Sequence, residues 1–127
     1  MKTAVLVIDV QNQFFDSERK PFEAKAVVER INHLTRQARA AGAPVIFVQH
    51  EQASDLLTPD SEGWRLYAGL AVEDKDPRVR KTTPDTFLRT ELEPILKSFE
   101  VVGLIICGYA TEFCVDTTVR RAAALGY

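Results

Sequence analysis

The sequence is poor in the residues that mark several common classes of protein. It contains two cysteines and two histidines among 127 residues. A small secreted domain held by disulfides would carry more cysteines, so we expect reduced thiols and a cytoplasmic location. A zinc or iron site takes about three protein ligands, and neither a D-x-H nor an H-x-x-x-H spacing occurs. We therefore expect no metal and no other cofactor.

Two further features are absent: an excess of positive charge and a long apolar run. The 16 basic and 18 acidic residues give a net charge of -2. Without a basic face to neutralise phosphates, we expect no nucleic-acid partner. The N-terminal apolar run of residues 4–8 is interrupted by Asp9 and is too short to span a membrane, so we expect no membrane association. No linker or repeat divides residues 1–127, and the length suits a single domain.

Predicted strands and helices alternate along the chain. The apolar runs predict strands at 3–9, 44–49 and 101–107, buried on both faces, with a weaker strand at 78–81. Helical spacing and capping residues predict helices at 23–41, 64–70, 91–98 and 113–125, and residues 51–63 are predicted to form a loop. This alternation predicts an α/β fold with a doubly wound, mostly parallel sheet and helices on both faces.

Polar and reactive residues follow the ends of the predicted strands. Asp9 follows the first strand, Gln49 and His50 the second, and Lys81 the third. Cys114 lies six residues after Gly108, where the fourth strand gives way to a helix. Because ligands bind at the carboxyl ends of strands in such sheets, these residues predict one site at one edge.

Cys114 is the candidate nucleophile at this edge. A position in the first turn of a helix would lower the pKa of the thiol and supply thiolate at neutral pH. Position alone is equally compatible with an inert buried cysteine. Cys107 lies within an apolar strand, where an inert role is favoured. Asp9 could serve as a general base or as a structural partner of Lys81.

Aromatic residues near the same edge predict a partly aromatic pocket. Phe14, Trp64 and Tyr109 are the aromatic candidates to contact a substrate, together with Phe113 beside Cys114. Gln49 and His50 are the polar candidates.

Three ordered motifs give the chain a family resemblance. They are AVLVIDVQNQFFD at 4–16, RKTTPDTF at 80–87 and GYATEFCVDTTVRRAAALGY at 108–127. The chain resembles the isochorismatase-like cysteine hydrolases, which include nicotinamidases and N-carbamoylsarcosine amidohydrolase. The resemblance implies a catalytic triad of Asp9, Lys81 and Cys114. It also implies a cis peptide bond before Ala110, with an oxyanion hole formed by the N–H groups of Ala110 and Cys114.

The resemblance also implies an activity. With Cys114 present, it favours hydrolysis of a small amide or a related C–N bond through a thioester on Cys114, in a protein that forms dimers or tetramers. The alternatives are a vinyl ether hydrolase of the isochorismatase type, a binding or scaffold protein that retains the fold, and a redox-sensing thiol. The metal-binding motif of nicotinamidases has no counterpart at residues 49–52.

The chain is shorter than the family pattern. Family domains usually continue through a further strand, helix and strand after the helix at 113–125. We therefore expect residues 1–127 to be a domain truncated at its C-terminus, with C-terminal strands of the sheet missing. Such a chain should expose apolar surface beside the fourth strand.

Overall fold

Strands and helices alternate in the computed structural model, which describes residues 2–53 and 56–127. The described elements are, in chain order, β1 (Thr3–Ile8), α1 (Asn12–Phe15), α2 (Ala24–Ala40), β2 (Val45–His50), β3 (Arg78–Lys81), α3 (Leu92–Ser98), β4 (Gly103–Gly108) and α4 (Asp116–Ala124). A π-helical turn, Thr111–Val115, leads into α4. In these two described stretches, no helix is long and apolar enough to cross a lipid bilayer.

The strands form one sheet in the order β3-β2-β1-β4, and every neighbouring pair is parallel. The predicted parallel sheet is therefore confirmed. β1 lies between two partners, and its residues 4–8 are at most 1% exposed. A strand in this position is buried on both faces, which explains why its sequence is continuously apolar rather than alternating.

Helices cover both faces of the sheet, as predicted for a doubly wound fold. Side chains of a strand point alternately to opposite faces. One face of β1 packs with residues of α3 and α4, in a core cluster that includes Ala4, Leu6, Ile8, Leu92, Leu96 and Ala122. The other face packs with α2, in a cluster that includes Val5, Val7, Val28, Ile31 and Ala38. The carboxyl ends of all four strands consequently point to one edge.

The predicted helix at 64–70 is wrong. The backbone of this segment bonds to the chain after β1, and Leu70 donates to the carbonyl of Tyr67 at 3.0 Å in a turn rather than a helix. Asn12 donates to the carbonyl of Arg65 at 3.0 Å, and Tyr67 donates to the carbonyl of Val10 at 2.9 Å. Leu66 lies opposite residue 11 as an isolated antiparallel bridge. These bonds use the groups that a helix would need internally.

The fourth strand and the last helix differ from prediction in extent and exposure. β4 begins two residues later than the predicted 101–107, and the predicted full burial is wrong because β4 is at the edge of the sheet. Val102, Ile105 and Val119 are 55%, 45% and 44% exposed. The helix predicted at 113–125 starts at 116, because the π-helical turn precedes it. The loop predicted at 51–63 includes Ser54 and Asp55, which lie outside the described residues.

Candidate active site

Asp9 lies at the carboxyl end of β1 in an unusual backbone conformation. Its φ angle of 55° is in the left-handed region, which non-glycine residues adopt rarely and often at functional sites. The residue is only 2% exposed. One carboxylate oxygen, Oδ2, lies 3.0 Å from Nζ of Lys81. The other, Oδ1, is buried and has no hydrogen-bond partner among the described residues. A buried acceptor of this kind is costly unless a proton or a ligand reaches it.

Lys81 lies at the end of β3, and its side chain is fully buried. Its ammonium nitrogen lies 3.0 Å from Asp9 Oδ2, 2.8 Å from His50 Nδ1 and 3.2 Å from Cys114 Sγ. An ammonium group has three protons to donate and no acceptor. The three contacts therefore use all three protons of the ammonium group. They hold Asp9, His50 and Cys114 around a single nitrogen.

The turn between β4 and α4 positions Cys114. Gly108 has a φ angle of 127°, and a Cβ atom built there would lie 2.0 Å from the carbonyl oxygen of Ile8. Only glycine allows β4 to approach β1 this closely before the chain turns. The Tyr109–Ala110 peptide bond is cis. Cys114 follows in the π-helical turn, a form of local helix that is frequent at functional sites.

The predicted lowering of the Cys114 pKa is wrong. Cys114 is not in the first turn of a regular helix, and burial raises the pKa of its thiol. The negative charge of Asp9 raises it further, and the positive charge of Lys81 opposes this increase. Burial also raises the pKa of Asp9 above 3.8, again opposed by Lys81. A raised thiol pKa favours the protonated sulfur over the thiolate.

Cys107 is different from Cys114 in its surroundings. Its sulfur lies 3.6 Å from the carbonyl oxygen of Leu6, and burial raises the pKa of its thiol to about 11. Both cysteines are free. These features fit the inert role favoured for Cys107.

Three potential metal ligands meet at this site. One donor atom from each of Asp9, His50 and Cys114 lies within 4.8 Å of the others. The ammonium of Lys81, however, is already bonded to all three side chains. A divalent cation among them would have to displace this buried positive charge or lie beside it, which Coulomb repulsion opposes. The arrangement therefore suits an ammonium group better than a metal ion.

A cavity of about 560 Å³ opens onto these groups. Its lining contains Asp9, Phe14, His50, Gln52, Leu57, Thr82, Pro84, Tyr109, Ala110, Phe113 and Cys114. The candidates Phe14, His50, Tyr109 and Phe113 thus lie at the cavity with the candidate nucleophile. The rings of Phe14 and Tyr109 are 5.0 Å apart between centroids and form part of one wall. The size and the largely apolar wall fit a small molecule.

Two of the residues predicted to contact a substrate, Gln49 and Trp64, lie away from the cavity. Gln49 is 1% exposed, and its amide nitrogen donates to the carbonyl oxygen of Trp64 at 3.2 Å. Trp64 is not part of the cavity lining. Its ring instead faces the guanidinium of Arg80, 5.6 Å from the ring centroid. Both residues support the loop behind the site.

Gln11 is a structural residue of the site that sequence reasoning missed. It is fully buried, and its side chain forms hydrogen bonds with both backbone groups of His50. Oε1 accepts from the N–H of His50, and Nε2 donates to its carbonyl, each at 3.0 Å. Nε2 also donates to the carbonyl of Trp64 at 2.8 Å. A polar residue directly after the buried pair of Asp9 and Val10 was the available signal for it.

Known proteins share this architecture. The family model described as the isochorismatase domain matches residues 3–127. Streptothricin hydrolase of Streptomyces noursei is 36% identical over 125 residues, which are 98% of this chain and 45% of that protein. The chain thus spans less than half of that relative's length.

Solved structures agree with the family match. The crystal structure of an isochorismatase family protein superposes with a TM-score of 0.92 at 38% identity, covering 98% of this chain and 74% of that one. A cysteine hydrolase from Pseudomonas syringae pv. phaseolicola 1448A gives a TM-score of 0.92 at 27% identity, covering 99% and 68% of the respective chains. The match over nearly every residue, together with the parallel sheet and its site, shows that the chain belongs to the isochorismatase family.

Proposed function

We propose that this chain carries the active site of a cysteine hydrolase that cleaves a small amide or a related C–N bond. The observation that carries the proposal is the buried Lys81 ammonium, bonded at once to the carboxylate of Asp9 and the sulfur of Cys114. The names of two similar proteins, a streptothricin hydrolase and a cysteine hydrolase, support the same class of reaction.

The proposed reaction begins with a neutral thiol. Oδ1 of Asp9, which has no partner among the described residues, accepts the proton of Cys114 as the sulfur attacks the substrate carbonyl carbon. Lys81 stabilises the resulting thiolate by its contact with the sulfur. The raised pKa of Asp9 suits this transfer, because a carboxyl of raised pKa is a stronger base.

The tetrahedral intermediate carries its negative charge on the former carbonyl oxygen. We assign the backbone N–H groups of Ala110 and Cys114, which both line the cavity, as donors to that oxygen. One such donor contributes about 3–4 kcal/mol in comparable enzymes. The C–N bond then breaks, Asp9 returns its proton to the leaving nitrogen, and a thioester on Cys114 is left. Water, deprotonated by Asp9, attacks the thioester and releases the acid, and Asp9 returns the proton to the sulfur of Cys114.

The substrate contacts proposed here are the aromatic side chains of the cavity. Phe14, Tyr109 and Phe113 would flank the apolar part of the substrate, and His50 would face its polar part. A cytoplasmic location and a dimer or tetramer stay predictions.

The two cysteines of the chain provide a matched pair of variants. We expect Cys114→Ala to abolish hydrolysis in a panel of small amides, ureas and hydrazides, and Cys107→Ala to keep it within about threefold, because Cys107 lies outside the cavity lining. Circular dichroism of both variants checks that the fold is intact. Retained turnover by Cys114→Ala would overturn the proposal and favour the vinyl ether alternative, which does not need the cysteine. A wild type that turns over no substrate and acquires no covalent adduct would favour a binding role.

A further inference from the structure

The third partner of the Lys81 ammonium is not a member of the proposed triad. His50 Nδ1 lies 2.8 Å from Nζ of Lys81, the shortest of the three contacts. We propose that His50 is a positioning residue for Lys81, whose neutral imidazole accepts one ammonium proton and thereby directs the other two to Asp9 and Cys114. The inference rests on the proposed function, and it adds a residue to the machinery that the family resemblance does not supply.

The chemistry of the contact fixes the tautomer of His50. Lysine has no acceptor while it is an ammonium, so Nδ1 must be the acceptor in the 2.8 Å contact. A neutral imidazole with an unprotonated Nδ1 carries its proton on Nε2. Because His50 lines the cavity, this Nε2–H is a donor for a polar atom of the substrate.

The fold holds His50 against Lys81 in a way that depends on strand register. His50 is directly opposite Lys81 in the parallel pairing of β2 and β3, so their side chains lie on the same face of the sheet. The buried side chain of Gln11 binds both the N–H and the carbonyl of His50. The next residue, Glu51, donates its N–H to the carbonyl of Lys81 at 2.9 Å. The backbone on both sides of the contact is therefore fixed.

The charges around His50 favour the neutral imidazole. Burial lowers the pKa of His50 below 6.5, and the positive charge of Lys81 lowers it further. Asp9 and Glu51 oppose this decrease. Glu51 is itself bound to Arg80, with an N–O distance of 2.7 Å, and burial raises the pKa of the nearby Cys114 thiol. Protonation of His50 would place an N–H against an ammonium group and break the contact, so the proposal predicts loss of activity on the acid side.

Two substitutions separate positioning from simple packing. His50→Asn keeps an acceptor oxygen near the place of Nδ1 but does not titrate, whereas His50→Leu removes the acceptor at similar size. We expect His50→Leu to lower kcat roughly 10- to 100-fold, the range for a lost hydrogen bond to a charged group, with a smaller change in KM. His50→Asn should recover most of that loss. It should also lack the acidic inflection that His50 gives the wild-type pH profile.

Two measurements do not depend on turnover. In NMR spectra at pH 7.5, His50 should show an unprotonated Nδ1 and a protonated Nε2. The rate at which iodoacetamide alkylates Cys114 should change in His50→Leu, recover in His50→Asn and stay at the wild-type value in His33→Leu, which alters the exposed histidine of α2. If these results hold but no amide is hydrolysed, the positioning role stands and the proposed reaction fails. A protonated Nδ1, or equal alkylation rates for the Leu and Asn variants, would overturn the inference.

Discussion

Removal of the Lys81 ammonium should destabilise the protein strongly, and the variant Lys81→Met measures this with little change in side-chain length. The ammonium and the carboxylate of Asp9 lie 3.0 Å apart, with side-chain exposures of 0% and 3%. Removing one partner of a buried ion pair leaves the other charge uncompensated, at a cost of about 3–5 kcal/mol. Asp9 Oδ1 already has no hydrogen-bond partner among the described residues.

Equilibrium unfolding in urea at pH 7 measures the effect. With a denaturant dependence of about 2 kcal/mol per molar urea for a chain of this size, the midpoint should fall by about 1.5–2.5 M. Lys97→Met is the matched control, because Lys97 forms an exposed pair with Glu93 at 3.2 Å, with side-chain exposures of 71% and 42%. That variant should cost less than about 0.5 kcal/mol.

The pH dependence of the difference in stability between wild type and Lys81→Met provides a second check. Burial raises the pKa of Asp9 above 3.8 in the folded protein, and loss of Lys81 removes the opposing positive charge. The folded variant therefore binds a proton at a higher pH than the unfolded chain does, so its stability rises relative to the wild type as the pH falls. The difference in free energy of unfolding between Lys81→Met and wild type should therefore become smaller as the pH falls. The double variant Asp9→Asn/Lys81→Met, which contains neither charge, should be more stable than Lys81→Met at pH 7.

Two outcomes would refute this reasoning. One is a Lys81→Met variant that costs no more than Lys97→Met at pH 7. The other is a double variant as unstable as Lys81→Met over the whole pH range, which would mean that the uncompensated Asp9 charge is not the cause.

Two other substitutions test how the site is positioned, each by urea unfolding against a matched control. Gly108→Ala should lower the free energy of unfolding by more than about 2 kcal/mol, because the φ angle of Gly108 is 127° and a Cβ would lie 2.0 Å from a backbone oxygen. The control Gly42→Ala should lower it by about 1 kcal/mol, because Gly42 has a φ angle of 76° and no atom within 4 Å of the added Cβ. Equal losses of stability in the two variants would contradict the close approach of Gly108 to the backbone of Ile8. Thr118→Val removes a buried hydroxyl that binds the N–H of Thr86 at 3.2 Å and its hydroxyl at 2.8 Å, so it should cost about 1–3 kcal/mol of stability. The control Thr117→Val changes an exposed threonine and should alter stability by less than about 0.5 kcal/mol. Similar values for both would show that the buried pair does not stabilise the fold.

Local pattern predicted most of the fold because the sheet is parallel and buried. Continuous apolar runs mark β1 and β2, and helical spacing marks α2, so the predicted ends lie within one residue of those in the structure. In a parallel sheet the carboxyl ends of the strands lie at one edge, so Asp9, Lys81 and Cys114 lie close together, as predicted.

The errors arose where contacts distant in sequence decide the structure. The segment at 64–70 has apolar residues at helical spacing, but its backbone bonds to residues 10 and 12. The apolar run of β4 predicted a strand buried on both faces, but β4 is at the edge of the sheet. The 2.8 Å contact of His50 with Lys81 depends on the register of two parallel strands, which the sequence does not reveal.

The thiol of Cys114 shows the same limit for electrostatics. A helix start predicted a lowered pKa, but the π-helical turn, the burial and the charge of Asp9 are properties of the folded chain. The consequence for the proposed reaction is specific. In the proposed reaction Asp9 acts as a base in the first step, because burial and the charge of Asp9 raise the pKa of the Cys114 thiol.

The most direct test of the proposed function is to trap the covalent intermediate. Wild-type protein quenched in acid during turnover of a small amide should gain the mass of the acyl group, and peptide mapping should place it on Cys114. Cys107, whose thiol pKa is raised to about 11, should stay unmodified. An adduct on Cys107 alone, or turnover retained by Cys114→Ala, would contradict the assignment of Cys114 as the nucleophile.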